Sequence, residues 1–520
     1  MHNKWFHLLV NAVVFVLLAR LLPIHFETND DVAMCMILNG QYSGSPDGHI
    51  VYSNALLGWI IAGLYSLTQV VEWYTLALCI AQVLAMTGLT YATATDKKIP
   101  VVLKVALVLF LYVFWARVIM ALQFTTTAGL LCASGCVALL RPTRKWRVAG
   151  LLAIVVASLI RFNASAMVGI LFAPMFLAEW IKDKRYALWL ASVVALVMIG
   201  VVGDRLCYRS PDWKEYKEYD ALRGYINDNP NGDFTKEELP EGVSMEDYQM
   251  LRWFEVDPQV LTKTKLQAIK TAIKQRITLR TSVSNLAQLS GYGTTLAMLF
   301  LGYCILVVAI VFKDKSVKDR RQRLVDIACP VLVFLFFAAF ILYFGVTEVL
   351  KPRAFLCMLL PVVCQMVMLF PQDENRVSKL LLYVMAVFVM GMALKYVKQV
   401  DKVNQLYHAN QKEFDAYIFP LINDCSKTIK GCPSEYLRPF HIKDVSFHTI
   451  GMGWMTKIPF NKGRLECHLD FVDSDFLYLS GVDNPPYAIS NSIERNYDVK
   501  VKVEMTDCNE RFALYKFVSE

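Results

Sequence analysis

Charge is what this sequence has least of. Asp, Glu, Lys and Arg make up 19% of its 520 residues, hydrophobic residues make up 56%, and the mean hydropathy is +0.39. That balance is too apolar for a soluble domain. Familiar chemical motifs are missing as well. Without a Gly-rich phosphate loop of the Walker type, an ATP-driven pump has no support. Neither a Gly-x-Ser-x-Gly elbow nor a His-Glu-x-x-His helix occurs. No internal repeat stands out, which counts against a secondary transporter built from inverted halves.

What is present is membrane. Hydrophobic runs of spanning length recur from the first residues to about residue 396. The N-terminal run lacks a small-x-small cleavage site, so residues 5–23 are expected to be a retained helix. The net charge of +8 is modest and its excess sits in short loops, which argues against nucleic acid as a partner. The basic loops are Arg141–Arg147, Lys182–Arg185 and Lys313–Arg323, with Lys97 and Lys98 as a weaker member. By the positive-inside rule these face the cytoplasm. Threading helices between them predicts spans near 5–23, 72–93, 101–117, 121–140, 148–161, 164–181, 187–204, 292–312, 325–346, 354–370 and 379–396. Residues 54–70 are apolar enough to span, but counting them would invert every later basic loop. They are expected to form a juxtamembrane or re-entrant element.

The expected fold is therefore an all-α polytopic membrane bundle of about eleven transmembrane helices with a small β-rich extracytoplasmic C-terminal domain. The N-terminus is placed inside. A module over 1–204 carries the first outer loop, 24–53. A long extracytoplasmic loop covers 205–290, further helices 291–396, and the C-terminal domain 397–520. The long loop contains Leu266, Ile269, Ile273 and Ile277 along one helical face, accompanied by Lys263, Lys265, Lys270, Lys274, Arg276 and Arg280. Such a helix suits phospholipid headgroups, or equally packs on the loop's own domain. The tail alternates short strand-like runs, at 444–450, 475–480 and 499–504, with Gly and Pro turns. Its cysteines, Cys425, Cys432, Cys467 and Cys508, form an even set compatible with disulfides. The other cysteines have no ligand spacing and read as small core residues.

Two groups of residues could carry chemistry. Asp30 and Asp31 open the first outer loop, preceded by Glu27 and Asn29. One carboxylate could act as a general base or bind a metal; the plainer reading is a helix cap, which needs only one such residue. The same loop adds Asp47, His49 and Tyr52 as acceptor-side or supporting residues. The second group is Arg117, Arg161, Arg205, Lys351 and Arg353, basic residues at expected outer helix ends. The positive-inside bias disfavours them there, so a bound anion such as a lipid phosphate or diphosphate is a reasonable demand. Snorkelling to headgroups, or pairing with Asp204 and Glu348, is the plainer account of any one of them.

This layout resembles the GT-C class of integral-membrane glycosyltransferases, which includes the oligosaccharyltransferases and protein O-mannosyltransferases. The matching features are the acidic pair in the first outer loop, juxtamembrane elements after the first span, a seven-span module and a soluble outer domain. More locally, residues 27–31, 44–49, 56–58 and Trp73–Tyr74 look like bacterial relatives that accompany cell-envelope polysaccharide synthesis. The resemblance implies a polyprenyl-phosphate-linked sugar donor bound from the outer leaflet of a bacterial cytoplasmic membrane, with a glycan or lipid-linked acceptor. It makes Asp30 or Asp31 the base and Arg353 the first choice for the lipid phosphate. It leaves the metal open, since paired Asp suits Mg²⁺ or Mn²⁺ without proving either. The tail matches no acceptor-binding domain of the class. Competing readings are a polysaccharide repeat-unit polymerase, a transporter or flippase of lipid-linked glycans, and a non-catalytic scaffold.

Overall fold

The computed structural model describes residues 3–312, 320–372, 376–422, 428–445, 448–450 and 453–520. The first module runs α1 (Lys4–Leu21), β1 (His25–Phe26), α2 (Asn29–Leu38), α3 (Ala55–Leu67), α4 (Trp73–Thr95), α5 (Val101–Met120), β2 (Ala121–Leu122), α6 (Phe124–Leu139), α7 (Arg144–Ile160), α8 (Phe162–Lys182) and α9 (Tyr186–Cys207). The long loop folds into α10 (Pro211–Asp228), α11 (Met245–Arg252), α12 (Lys263–Arg276) and α13 (Leu279–Asn285). The bundle resumes with α14 (Gly293–Val311), α15 (Arg320–Thr347), α16 (Pro352–Met368) and α17 (Arg376–Glu413). Each predicted span falls on a helix. Among the described residues, eight helical stretches are long and apolar enough to cross a membrane. The remaining expected spans are shorter: α6 has 16 residues, α16 has 17, and α7 spends its first turn on Arg144, Lys145 and Arg147. The basic segment from Lys313 lies outside the described residues as far as 319.

Helix α3 resolves the ambiguous run at 54–70. It has 13 residues, with the Asn54 side chain accepting from the Leu56 N–H at 2.9 Å. At 1.5 Å per residue that is about 20 Å, too short for a hydrocarbon core of about 30 Å. Its far side exposes Trp59, Ile60 and Leu67. Within the bundle, small residues permit close approach. A Cβ on Gly150 of α7 would lie 2.6 Å from the Gly135 carbonyl of α6. Buried polar groups are paired across helices: Trp115 donates to Gln82 at 3.0 Å, and Gln82 to Thr127 at 2.9 Å.

The headgroup reading of α12 is overturned. Leu266, Ile269 and Ile273 are fully buried against Tyr219, Leu222 and Leu251, in a separate small core. Helix α10 presents its own apolar stripe at 219, 222 and 226, so the two helices satisfy each other. The α12 cations then pair outward, Lys263 with Glu218 and Lys270 over the Tyr225 ring.

Helix α17 continues without a break past the expected boundary at 396 to Glu413. After a short α18 (Phe419–Ile422) the tail forms a five-stranded mixed sheet. Its strands are β3 (Thr428–Lys430), β4 (His448–Ile450), β5 (Phe476–Gly481), β6 (Val501–Cys508) and β7 (Phe512–Ser519), in the order β4-β3-β5-β7-β6. Strand β3 runs parallel to β4 and β5, and β5-β7-β6 are antiparallel. A helix, α19 (Tyr487–Tyr497), packs beside β6. The expected disulfide set is not formed among the described residues. Cys432, Cys467 and Cys508 are free thiols at separate places in the domain, and Cys425 lies outside the described residues.

The tail docks on the long loop through buried charge. Lys430 and Glu255 form a 2.6 Å ion pair with both side chains under 10% exposed. Asp257 accepts from the Tyr497 hydroxyl at 2.9 Å and the His468 backbone N–H at 2.8 Å. The tail also reaches the bundle, where Thr75 donates to the Pro439 carbonyl at 2.6 Å and the Lys443 N–H to Glu72 at 2.6 Å. Loop and tail together form a roof over one end of the bundle.

Candidate functional site

The first loop is anchored by a two-residue parallel pair, His25–Phe26 against Ala121–Leu122, extended by a 3.0 Å bond from the Glu27 N–H to the Leu122 carbonyl. This starts α2 under the roof with Thr28 as its N-cap, so Asn29 and the two Asp residues occupy the first turn. Negative charge is favoured there by the helix dipole. Consecutive helical residues point about 100° apart, so the two carboxylates take different directions.

Asp31 turns into the protein. It is 0% exposed, and its Oδ1 accepts from the Tyr74 hydroxyl at 2.8 Å and the Phe124 N–H at 3.2 Å. Burial pushes its pKa well above the usual carboxylate range, although these bonds pull the other way. It therefore ties α2 to the starts of α4 and α6 and, unlike Asp30, does not line the cavity described below. Asp31→Ala should cost roughly 1–3 kcal/mol in thermal unfolding, because a buried N–H and hydroxyl lose their acceptor. Asp31→Asn keeps an acceptor oxygen and should be far milder. A carboxyl whose folded pKa is raised contributes stability below its unfolded pKa and loses it as pH rises through the folded value. The Asn variant should therefore lose less stability than wild type on going alkaline.

Asp30 faces a cavity of about 550 Å³. Its Oδ1 accepts from the Trp454 indole N–H at 2.9 Å, and its Oδ2 from the Thr28 hydroxyl at 3.3 Å. Four cations line the same cavity: Arg161, Arg223, Lys351 and Arg353. Two are neutralised in place. Arg223 binds Asp220 through Nε at 3.0 Å and Nη2 at 2.6 Å, and Lys351 meets Asp228 at 2.8 Å. The other two make no ion pair among the described residues. Arg161 donates to the Tyr52 carbonyl at 2.7 Å and lies 5.3 Å from both the Tyr52 and Phe124 rings. Burial, and more weakly Arg353, depress its pKa, with Tyr52 and Asp30 acting in the opposite sense. Arg353 stands in the first turn of α16, just after Pro352. That proline removes an N–H that would have had no helical partner, and the helix end adds partial positive charge.

Asn29 and Tyr52 also line the cavity. The other expected residues do not. Glu27 is half-buried outside it, with a carboxyl pKa raised by desolvation and held down by the charges of Arg353 and, more weakly, Arg117. Arg117 does not line the cavity. Arg205 is exposed in the last turn of α9. Asp47 and His49 pair at 2.6 Å, and the imidazole stacks on Trp213 at 4.6 Å, so these two fasten the first loop to α10. The site residues that sequence reading missed are Asp220, Arg223, Phe254, Gly453 and Trp454. Only the Asp220–Arg223 pair carries a local signal, as opposite charges three apart on a helix. Asp30 and Asp31 diverge, and only Asp30 opens onto the cavity. Among the described residues no group of three or more His, Cys, Asp or Glu is placed to hold an ion.

The arrangement places a partly exposed carboxylate, Asp30, in one cavity with two guanidinium groups that form no ion pair among the described residues. Such a cavity can hold an anion and accept a proton. No family model matches the chain, and no curated protein matches it. Among solved structures, the chain is similar to ArnT from Cupriavidus metallidurans in its apo state, at 12% identity over 98% of this chain and 97% of that one, with a TM-score of 0.44. It is similar in the same measure, at 11% identity and the same coverage and TM-score, to that protein bound to undecaprenyl phosphate.

Proposed function

We propose that the protein is a membrane glycosyltransferase that moves a sugar from a polyprenyl-phosphate carrier to a hydroxyl of a cell-envelope glycan or lipid-linked acceptor at the outer face. The carrying observation is the shared cavity of Asp30, Arg161 and Arg353. Arg353, at the start of α16, receives the carrier phosphate, with Arg161 as a second guanidinium of the same cavity that forms no ion pair among the described residues. Asp30 takes the acceptor's hydroxyl proton as its oxygen bonds to the anomeric carbon. The bond from that carbon to the phosphate oxygen breaks, and the leaving phosphate keeps the electron pair. Cations neutralise that charge, so no strong general acid is required. Attack from the face opposite the phosphate inverts the anomeric centre. The volume falls within the range of small-molecule sites, large enough for a sugar and its phosphate.

The test is binding of undecaprenyl phosphate to the protein in lipid nanodiscs, followed by native mass spectrometry. Arg353→Gln should weaken binding about 10- to 100-fold, the equivalent of losing a charge-assisted hydrogen bond pair. Arg205→Gln, outside the cavity, should bind as wild type does. Equal binding by all three proteins would remove the phosphate assignment.

A further inference from the structure

Trp454 belongs to the C-terminal domain and stands 424 residues from Asp30, yet its indole N–H is the donor to Asp30 Oδ1. Its side chain is held from several directions. It is 5% exposed, and its ring lies 5.1 Å from that of Tyr52 at 60°. The preceding Gly453 adopts φ +69° and donates its N–H to the Phe254 carbonyl at 2.9 Å. A side chain there would be strained, and its Cβ would lie 3.1 Å from the Phe254 ring and 3.4 Å from Arg223 Nη1. Phe254 is itself left-handed, at φ +66°, and Glu255 follows it with the buried bond to Lys430. On the other side, Asn461 donates to the Met455 carbonyl at 2.9 Å and accepts from the Tyr42 hydroxyl at 2.5 Å. The long loop, the sheet and the first loop thus all converge on the place of one indole.

We propose that Trp454 is a positioning residue for the base, supplied by the C-terminal domain. A carboxylate with one loose bond would rotate about its Cβ–Cγ axis. The indole fixes Oδ1, and Oδ2, with only the long bond from Thr28, is left to receive the acceptor proton. Trp454 keeps its own proton throughout. Burying an indole needs an apolar slot and some acceptor for its N–H, and backbone carbonyls usually serve. Here the acceptor is Asp30, which forms no ion pair among the described residues, whereas the other cavity carboxylates, Asp220 and Asp228, are paired with Arg223 and Lys351. The tail is thereby part of the active site, although its sequence contains no catalytic motif. This inference rests on the reading of Asp30 as the base.

The experiment uses cells deleted for the gene and complemented with the full chain, at membrane levels matched by immunoblot. The readout is the envelope glycan species that disappears on deletion, quantified by mass spectrometry. One variant carries 3-benzothienylalanine at position 454, which keeps the ring shape of Trp and puts sulfur where the N–H stands. A purely structural role would let this isostere restore wild-type product. A positioning role should lower product about tenfold or more, with Trp454→Phe doing the same and both proteins melting near wild type. If Asp30→Asn abolishes the product while the isostere makes it at the wild-type level, the positioning role is overturned and the base assignment stands. Full product from Asp30→Asn, or no glycan lost on deletion, overturns the reading beneath it.

Discussion

Asp30→Asn should lower sugar transfer by about a hundred- to ten-thousandfold, the usual contribution of a positioned general base. The change removes the basic oxygen and little else. The amide oxygen can still accept from Trp454, and the side-chain volume is unchanged, so the roof has no reason to move. Melting temperature and undecaprenyl phosphate binding should both stay close to wild type. The second point matters because it separates proton transfer from donor capture, the part we propose for Arg353. The measurement is the initial rate of sugar incorporation by membranes from complemented deletion cells, supplied with polyprenyl-linked lipids extracted from the same host. Activity in the Asn variant within threefold of wild type would mean that Asp30 is only the start of a helix. Asp31→Asn is the matched control, since that carboxyl is buried between Tyr74 and Phe124 and does not face the cavity.

The bundle was legible because a bilayer constrains sequence strongly. Spanning helices need long apolar runs, and loop charge orders them. Even α3 was distinguishable from a span, through the parity of the basic loops around it. The cation side of the cavity was partly legible too. Lys351, Arg353 and Arg161 are costly where they stand unless something uses them, and all three line the site. The same argument also picks out Arg117 and Arg205, which do not line the cavity, because a position at a helix end does not say which way a cation turns. The choice between Asp30 and Asp31 was closer to hand. Once α2 is helical from Asn29, adjacent residues must diverge, and only one can face the cavity. Helix α12 left two readings open because its apolar stripe says that it is covered, not what covers it; α10 is the partner. Trp454 was beyond local reading, since its role depends on a fold that joins residues more than four hundred positions apart.

Breaking the Lys430–Glu255 pair should have the largest effect on the stability of the roof. Both side chains are under 10% exposed, and their nitrogen and oxygen are 2.6 Å apart. The pair joins β3 of the tail to the residue after Phe254 in the long loop. A pair this deep gains little over an apolar contact, because both charges are stripped of water to make it. Removing only one partner is different, since it leaves an uncompensated charge in a dry seam at a cost of about 3–5 kcal/mol. Lys430→Met or Glu255→Leu alone should therefore raise the population of the opened seam by several hundredfold, at 1.4 kcal/mol per factor of ten. Changing both together should recover most of that loss. Limited proteolysis of the purified protein over a temperature series would report it, as earlier cleavage in each single variant and near-normal cleavage in the double. Activity should follow the same order, because an open seam releases the Phe254–Gly453 turn that places Trp454 on Asp30. If both single variants resist protease as wild type does, the seam is not what holds the roof, and the indole must be held by its contacts with Tyr52 and the first loop alone.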